Sequence, residues 1–302
     1  MNDWNINNKI YELGKGYTLE AAEKEEYSKY YAVYFKGDVG FKKNFKQKMA
    51  VVSEDDFCFW IKKDDVKIGG VFLEPNFIQE LFLIPPFDNA YEVLKLIKRI
   101  LIHWSDRSKD IEANVVIPSQ VEIYEKLGFR IVETGRWMLS PTRKFDVKWD
   151  DKLQVVLPNK DHTEELGKLF YEAFKNAPGQ KFSLKERTEF VEYYFEHNSH
   201  IEMLNKASSV IFDRETNELI GVCLISEYNE WPLIYDIAVR EDYRGRGVAS
   251  KLLKKSLTVL KDKYSAVRLH VEGGNDAETV YYDNGFLPGI KLTSLIIPSE
   301  NL

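Results

Sequence analysis

Residues 243–252 read Tyr-Arg-Gly-Arg-Gly-Val-Ala-Ser-Lys-Leu. The two glycines, each preceded by an arginine, stand between an apolar run ending in Ile237, Ala238 and Val239 and a helical pattern that starts at Val248. A strand, a glycine turn and a helix in that order gather backbone amides at a helix N-terminus, where they and the helix dipole favour an anion, phosphate above all. Gly245 and Gly247 remove side chains that would block close approach, and Arg244 and Arg246 add charge suited to phosphate. The spacing is neither the Walker pattern nor the dinucleotide fingerprint, which need a following Gly-Lys-Ser/Thr or a third glycine. A solvent-exposed turn whose glycines serve geometry alone would read the same way. Other reactive residue types form no comparable constellation. His197 and His200 lie at a helix end without a third ligand, so no metal site is expected. His270 lies on a strand and fits a core as well as a site. Cys58 and Cys223 sit singly in apolar runs, as buried strand thiols do.

The elements that position this turn follow from the hydrophobic period. Leu166, Leu169, Phe170 and Phe174 recur at helical spacing over about 161–173. A second helix covers Ser183 to His197, with Ser183 as N-cap and Glu186 three residues on, a capping box. The period then changes. Residues 207–228 read as strand, polar turn at Arg214–Glu218, and strand, a hairpin. Residues 232–239 make a third strand that runs into the glycine turn. Val248, Ala249, Leu252, Leu253, Leu257 and Leu260 make one face of a helix. Residues 266–271 read as a strand, 276–284 as a short helix and 291–298 as a closing strand.

The first half repeats this order. Residues 56–74 give strand, turn and strand, 77–84 a third strand, Val93 to Leu101 a helix and 111–117 a further strand. The segment Tyr124-Glu-Lys-Leu-Gly-Phe129 parallels Tyr281-Tyr-Asp-Asn-Gly-Phe286. A repeat of this length signals duplicated domains rather than a solenoid. The polar stretch Ser140–Lys152 reads as their boundary, giving domains at 1–145 and 150–302. The expected fold class is α/β (mixed α+β), two domains each with a central, mostly antiparallel mixed sheet flanked by helices.

The segment from Ile237 to Leu253 resembles the acetyl-CoA-binding segment of the GNAT acyltransferase superfamily, whose pattern is Arg or Gln, two residues, Gly, one residue, then Gly or Ala. Arg244, Gly247 and Ala249 fill it. The superfamily's second landmark is an Asn at the end of the next strand and a helix ending in Tyr, three residues, Gly-Phe. Asn275, Tyr281, Gly285 and Phe286 match it, so the resemblance covers about residues 150–300. The first half fits the same fold but departs at the turn, where residues 83–96 contain neither glycine nor arginine. Pro85 and Pro86 remove amide donors and Asp88 would repel a pyrophosphate. The chain thus resembles tandem GNAT proteins with one degenerate copy.

The resemblance implies acetyl-CoA as cosubstrate. Its pyrophosphate would lie on the amides from Gly245 through Arg246, Gly247, Val248 and Ala249 to Ser250, and its pantetheine arm along Ile237, Ala238 and Val239, with Asn275 nearby. The Val239 amide would polarise the thioester carbonyl. Tyr281 would hydrogen-bond the departing thiolate, its phenol being neutral at pH 7, with Tyr282 as competitor for that role. The acceptor would be an amine on a small molecule or peptide, and it must lose a proton before attack. Relatives often carry the base as a glutamate where this chain has Leu233. Asp236 is the only carboxylate on the strand, and alternation sends it to the opposite face from Leu233; Glu230 and Glu227 precede the strand. A non-catalytic acyl-CoA-binding or sensor protein is the competing reading, motivated by the missing glutamate.

Composition limits the alternatives. A net charge of −6 over 302 residues argues against a nucleic-acid surface, which needs a basic stripe. The lysine-rich stretch at 41–50 reads as a solvated segment. No run of about 18 apolar residues suggests a membrane span, and the start lacks a signal-peptide pattern, so a cytoplasmic protein is expected. Oligomeric state and acceptor identity are not written in the sequence; the aromatics of 192–197 and 227–231 would suit either an acceptor pocket or a core.

Overall fold

The computed structural model describes residues 4–38, 41–52, 57–177, 181–198 and 200–302. The chain divides into two compact units, one formed by 1–135 with 290–302 and the other by 136–289.

In the first unit β1 (Ile10–Gly14) and β2 (Tyr17–Ala21) form a hairpin, followed by α1 (Lys24–Tyr34) and α2 (Phe45–Met49). Then come β3 (Cys58–Lys63), β4 (Val66–Glu74), β5 (Phe77–Leu83), α3 (Ala90–Trp104), β6 (Ile111–Val116) and α4 (Pro118–Lys126). The start of β7 (Arg130–Pro141) and the last strand of the chain, β14 (Leu292–Ile297), complete its sheet. The order is β1-β2-β3-β4-β5-β6-β14-β7, with β5 and β6 parallel. Helices cover both faces: Val93, Ile97 and Ile100 of α3 pack on one, and Tyr27, Tyr31 and Phe35 pack against Trp60, Phe72 and Phe82 on the other.

The second unit holds β8 (Leu153–Val156), α5 (Thr163–Phe174), α6 (Leu184–Asn198), α7 (Glu202–Ala207), β9 (Ser209–Asp213), β10 (Leu219–Tyr228) and β11 (Trp231–Val239). It continues with α8 (Val248–Leu260), β12 (Ala266–Glu272), α9 (Ala277–Asp283) and β13 (Leu287–Pro288). Its sheet runs β7-β12-β11-β10-β9-β8, with β13 paired to β7. Leu166, Phe170, Tyr194 and Phe195 of α5 and α6 pack on one face, and Leu252, Leu253 and Leu257 of α8 on the other. Strand, hairpin, third strand, helix, strand and short helix recur in the same order in both units, each a mostly antiparallel mixed sheet flanked by helices.

Two features correct the sequence reading of the domains. The closing strand expected to finish the second domain is β14, and it lies in the first unit, paired with β6 through Ile297↔Ile111 and with β7 through Leu292↔Gly135. Its alternating buried residues Leu295 and Ile297 enter the first unit's core, and its backbone satisfies edges that would otherwise be unpaired. The boundary also moves from Ser140–Lys152 to Gly135. Residues 142–150 adopt neither helix nor strand, yet they are a packed strap of the second unit rather than a linker. The Thr142 amide donates to the Ser265 carbonyl at 3.0 Å, the Phe145 amide to Thr258 Oγ1 at 3.0 Å, and Phe145 and Trp149 pack on the core under α8.

Candidate active site

The site is built where β11 and β12 part. They run parallel with the single register pair Leu233↔Arg268, so the edges beyond it, including Ile237, Ala238 and Val239, are splayed from each other. The splay begins at a β-bulge. Leu224 faces Asp236 while Ile225 faces Ile234, which leaves Tyr235 as the extra residue on β11. The bulge resets the alternation. Leu233 pairs with Ser226 and Asp236 with Leu224, two positions apart on β10, so Leu233 and Asp236 share a face. The sequence expectation that Asp236 points away from Leu233 is therefore corrected: the extra residue brings the carboxylate to the face of Leu233. The first unit has the same bulge at Glu80, between the pairs Gly70↔Phe82 and Phe72↔Gln79. There Leu81 stands in the position of Asp236.

Asp236 is partly buried, and burial pushes its carboxyl up to about 7; Arg187 and the Ile237 amide pull it down and Glu272 pushes it up. The Arg187 guanidinium lies 3.8 Å from Asp236 Oδ2. Tyr281, on α9, is 8% exposed, and burial, with smaller contributions from Asp236 and Cys223, raises its phenol above the ordinary 10.0. Cys223 is buried, with its Sγ 3.7 Å from Ser256 Oγ and its thiol pushed up to about 12 by burial. Such a thiol is inert. Cys58 is buried as well.

The glycine turn follows β11 and is braced from below. The Arg240 amide donates to Ile220 O at 2.8 Å, the Arg240 guanidinium binds Asp242 and Glu218, and Tyr243 Oη donates to Asp213 Oδ2 at 2.5 Å. Arg244 is committed to the backbone, donating from Nε to Val239 O at 3.2 Å and from Nη2 to Ala173 O at 3.0 Å. Its observed contacts thus tie the turn to β11 and α5. Arg246 is exposed and lies over the Tyr243 ring at 4.7 Å. Gly245 and Gly247 have φ of 73° and 74°, the left-handed region. A Cβ added at either would meet nothing within 4 Å, so open space lies over these amides. Gly247 is the N-cap of α8 and no side chain caps the helix, which leaves the amides of Val248, Ala249 and Ser250 without a capping side chain. The residues present fit a phosphate.

The corresponding turn of the first unit is closed by its own chain. Asn89 Oδ1 accepts the Glu92 amide at 3.1 Å at the start of α3, the Phe87 amide donates to Ile84 O, and Pro85 and Pro86 offer no donor. The slot beside β5 is occupied too. Gln120, on α4, is 9% exposed and donates from Nε2 to Leu81 O at 3.0 Å. Four residues before the tyrosine of the second unit stands Ala277, whose methyl makes no such bond. Comparing the two helices residue by residue would reveal this difference in the sequence.

The shared Tyr-Gly-Phe signature is first of all a helix stop. Gly128 and Gly285 have φ of 91° and 89°. Phe129 and Phe286 donate their amides to Tyr124 O and Tyr281 O, each at 3.1 Å, and the rings meet at 5.1 and 6.1 Å. Asn275 starts the same helix, its Oδ1 accepting the Ala277 amide at 2.9 Å. Ser250 Oγ accepts from Asn284 Nδ2 at 2.9 Å and ties α8 to α9. The structure thus groups Asp236, Tyr281, the glycine turn and the splayed strand. Glu230 stands apart, exposed at the hairpin tip at the opposite end of β11. Glu227 accepts from Tyr264 Oη at 2.8 Å, and Tyr282 is 64% exposed. Arg187 and Glu272 were not legible as site residues.

Residues 168–286 match the model of the acetyltransferase (GNAT) family. No curated protein matches the chain. Among solved structures, a GCN5-related N-acetyltransferase from Sphaerobacter thermophilus is similar with a TM-score of 0.65 and 14% identity, over 95% of this chain and 97% of its own. A tandem GNAT protein from the clavulanic acid biosynthesis pathway is similar with a TM-score of 0.52 and 11% identity, over 94% and 98%. A GNAT-family acetyltransferase from Colwellia psychrerythraea gives 0.52 and 12%, over 92% and 98%. At these identities the likeness shows the fold alone. No helix among the described residues is long and apolar enough to cross a membrane. The glycine turn, Asp236 and Tyr281 all lie inside the segment that matches the acetyltransferase (GNAT) family model.

Proposed function

We propose that the second unit transfers an acetyl group from acetyl-CoA to an amine on a small molecule or peptide, by direct attack on the thioester. Acetyl-CoA would supply an activated acyl carbon and a thiolate leaving group. The amides from Gly245 to Ser250 would hold its diphosphate at the positive end of α8, and the free edge of β11 at Ile237 to Val239 would align its arm by backbone pairing. Asp236 would take the proton that the amine nitrogen loses as the nitrogen–carbon bond forms. As the carbon–sulfur bond breaks, the Tyr281 phenol would hydrogen-bond the sulfur. A thiol's ordinary value near 8.5 lies below the phenol's, so Tyr281 acts as a donor to the thiolate rather than giving up its proton outright.

The observation that carries this reading is the contrast between the two helix starts: α8 opens on an uncapped left-handed glycine with space above it, and α3 opens on a capping asparagine. The placement of Asp236 on the face of Leu233 favours catalysis over a sensor role, because it supplies the carboxylate whose absence motivated the sensor. Gly247→Asp is the informative variant, since Arg244 replacement would also untie the turn. Acetyl-CoA-dependent turnover that survives Gly247→Asp undiminished would sink the proposal. The first unit, with its turn capped and its slot filled by Gln120, takes no cofactor in this reading.

A further inference from the structure

Asp236 has a partner that the mechanism above does not use. Arg187 sits in the first turn of α6, its amide bonded to Ser183 O at 3.0 Å. A cation there faces the positive end of the helix dipole, a local cost, so helix stability does not explain the residue. Its guanidinium is clamped between two rings, 5.0 Å from the centre of Phe174 and 4.9 Å from that of Phe182. Phe182 in turn meets Phe190 edge-on at 4.9 Å. The clamp joins the end of α5 to the start of α6 and points the charge at β11, where Asp236 Oδ2 lies 3.8 Å away. Both side chains are substantially buried, at 14% and 24% exposure, where an ion pair is weakly screened.

We propose that Arg187 is a positioning residue of the acceptor site: held by Phe174 and Phe182, it aims the Asp236 carboxylate into the splay and supplies its counter-charge. The inference rests on the acetyltransferase reading for its catalytic meaning, but not for its test. Among the described residues, the other titratable groups around Asp236 are Glu272 on β12, Tyr281 on α9, Cys223 on β10 and the adjacent Tyr235. His270 shares a face of β12 with Glu272 by alternation. Glu272 opposes the charged form, the buried phenols and thiol are neutral near pH 7, and Arg187 is the cation that favours it.

The test follows the Asp236 carboxyl by carbon-13 NMR in acetyl-CoA-free protein, assigned with Asp236→Asn. Arg187→Gln should raise its midpoint by about one pH unit, and Arg187→Lys, which restores charge without the planar fork, should return most of that shift. Phe182→Leu removes one wall of the clamp at a half-exposed position, so it keeps the test alive if Arg187→Gln does not fold; it should raise the midpoint by a smaller amount. A midpoint unmoved by these variants overturns the proposal and makes Arg187 merely structural. If the midpoint moves and no amine is acetylated, the inference stands and the enzymatic reading falls. With turnover present, the acid limb of kcat/KM should move with the midpoint.

Discussion

Replacing Gly247 by asparagine and, separately, by aspartate isolates the charge of whatever sits on the start of α8. A Cβ at this position meets no atom within 4 Å, so neither variant clashes at its Cβ. The φ of 74° suits glycine and is tolerated by Asn and Asp at about 1 kcal/mol. Both residues are good helix N-caps, and they are nearly isosteric, so the variants differ chiefly by one negative charge. At about 5 Å and an effective dielectric of about 60, each phosphate charge repels it by about 1 kcal/mol. A diphosphate therefore loses about 2 kcal/mol, roughly 30-fold in Kd. Calorimetric titration with acetyl-CoA should show the asparagine variant moderately weakened and the aspartate variant about 30-fold weaker still, with a gap that narrows as salt rises. Thermal unfolding of the free aspartate variant should be no lower than that of the asparagine variant, because the carboxylate favours the helix dipole. Equal affinities in the two variants would refute the assignment of these amides to phosphate.

Asp236→Asn should lower kcat by about a hundredfold or more while leaving the acetyl-CoA Kd near that of the parent. The parent's kcat/KM should rise with pH through about 7, and a profile flat across that range would count against Asp236 as base. The folded carboxyl sits above its ordinary 3.8, so it favours folding most below pH 4 and loses that contribution as pH rises towards 7. Asp236→Asn should accordingly gain stability over the parent between pH 4 and pH 8, by on the order of 2 kcal/mol in urea unfolding; a gain of the opposite sign would contradict the burial argument. Tyr281→Phe should cut kcat by roughly 10- to 100-fold, the worth of a hydrogen bond to a charged sulfur, with little change in Tm because the ring still packs on Phe286. Gln120→Ala should cost about 1–3 kcal/mol by leaving the Leu81 carbonyl unsatisfied, and acetyl-CoA should still bind once per chain, since Asn89 continues to cap α3.

What the sequence made legible is local. The capping box at α6 needs only residues three apart, and it forms: the Ser183 amide donates to Glu186 Oε2 at 2.7 Å and the Glu186 amide to Ser183 Oγ at 3.3 Å. The glycine turn, the hairpin of β9 and β10 and the doubled Tyr-Gly-Phe signature are short-range in the same way. The features that escaped depend on partners distant in the chain. Alternation along β11 gave Asp236 the wrong face because the bulge at Tyr235 exists only against β10. The period of β14 specifies a buried face but not which sheet it joins. The strap at 142–150 looked like a linker because its polar residues outnumber Phe145 and Trp149, which anchor it. Arg187 carried no signal, lying 49 residues before its partner in a helix whose pattern it does not alter.

Acyl transfer by the second unit would show most directly as acceptor-dependent thiol release from acetyl-CoA across a panel of primary amines. Release is expected with at least one amine, with product carrying an acetyl group on nitrogen and with that activity lost in both Gly247→Asp and Asp236→Asn. Acetyl-CoA that binds tightly yet is never transferred to any amine, or transfer that persists in Asp236→Asn, would contradict the proposed function.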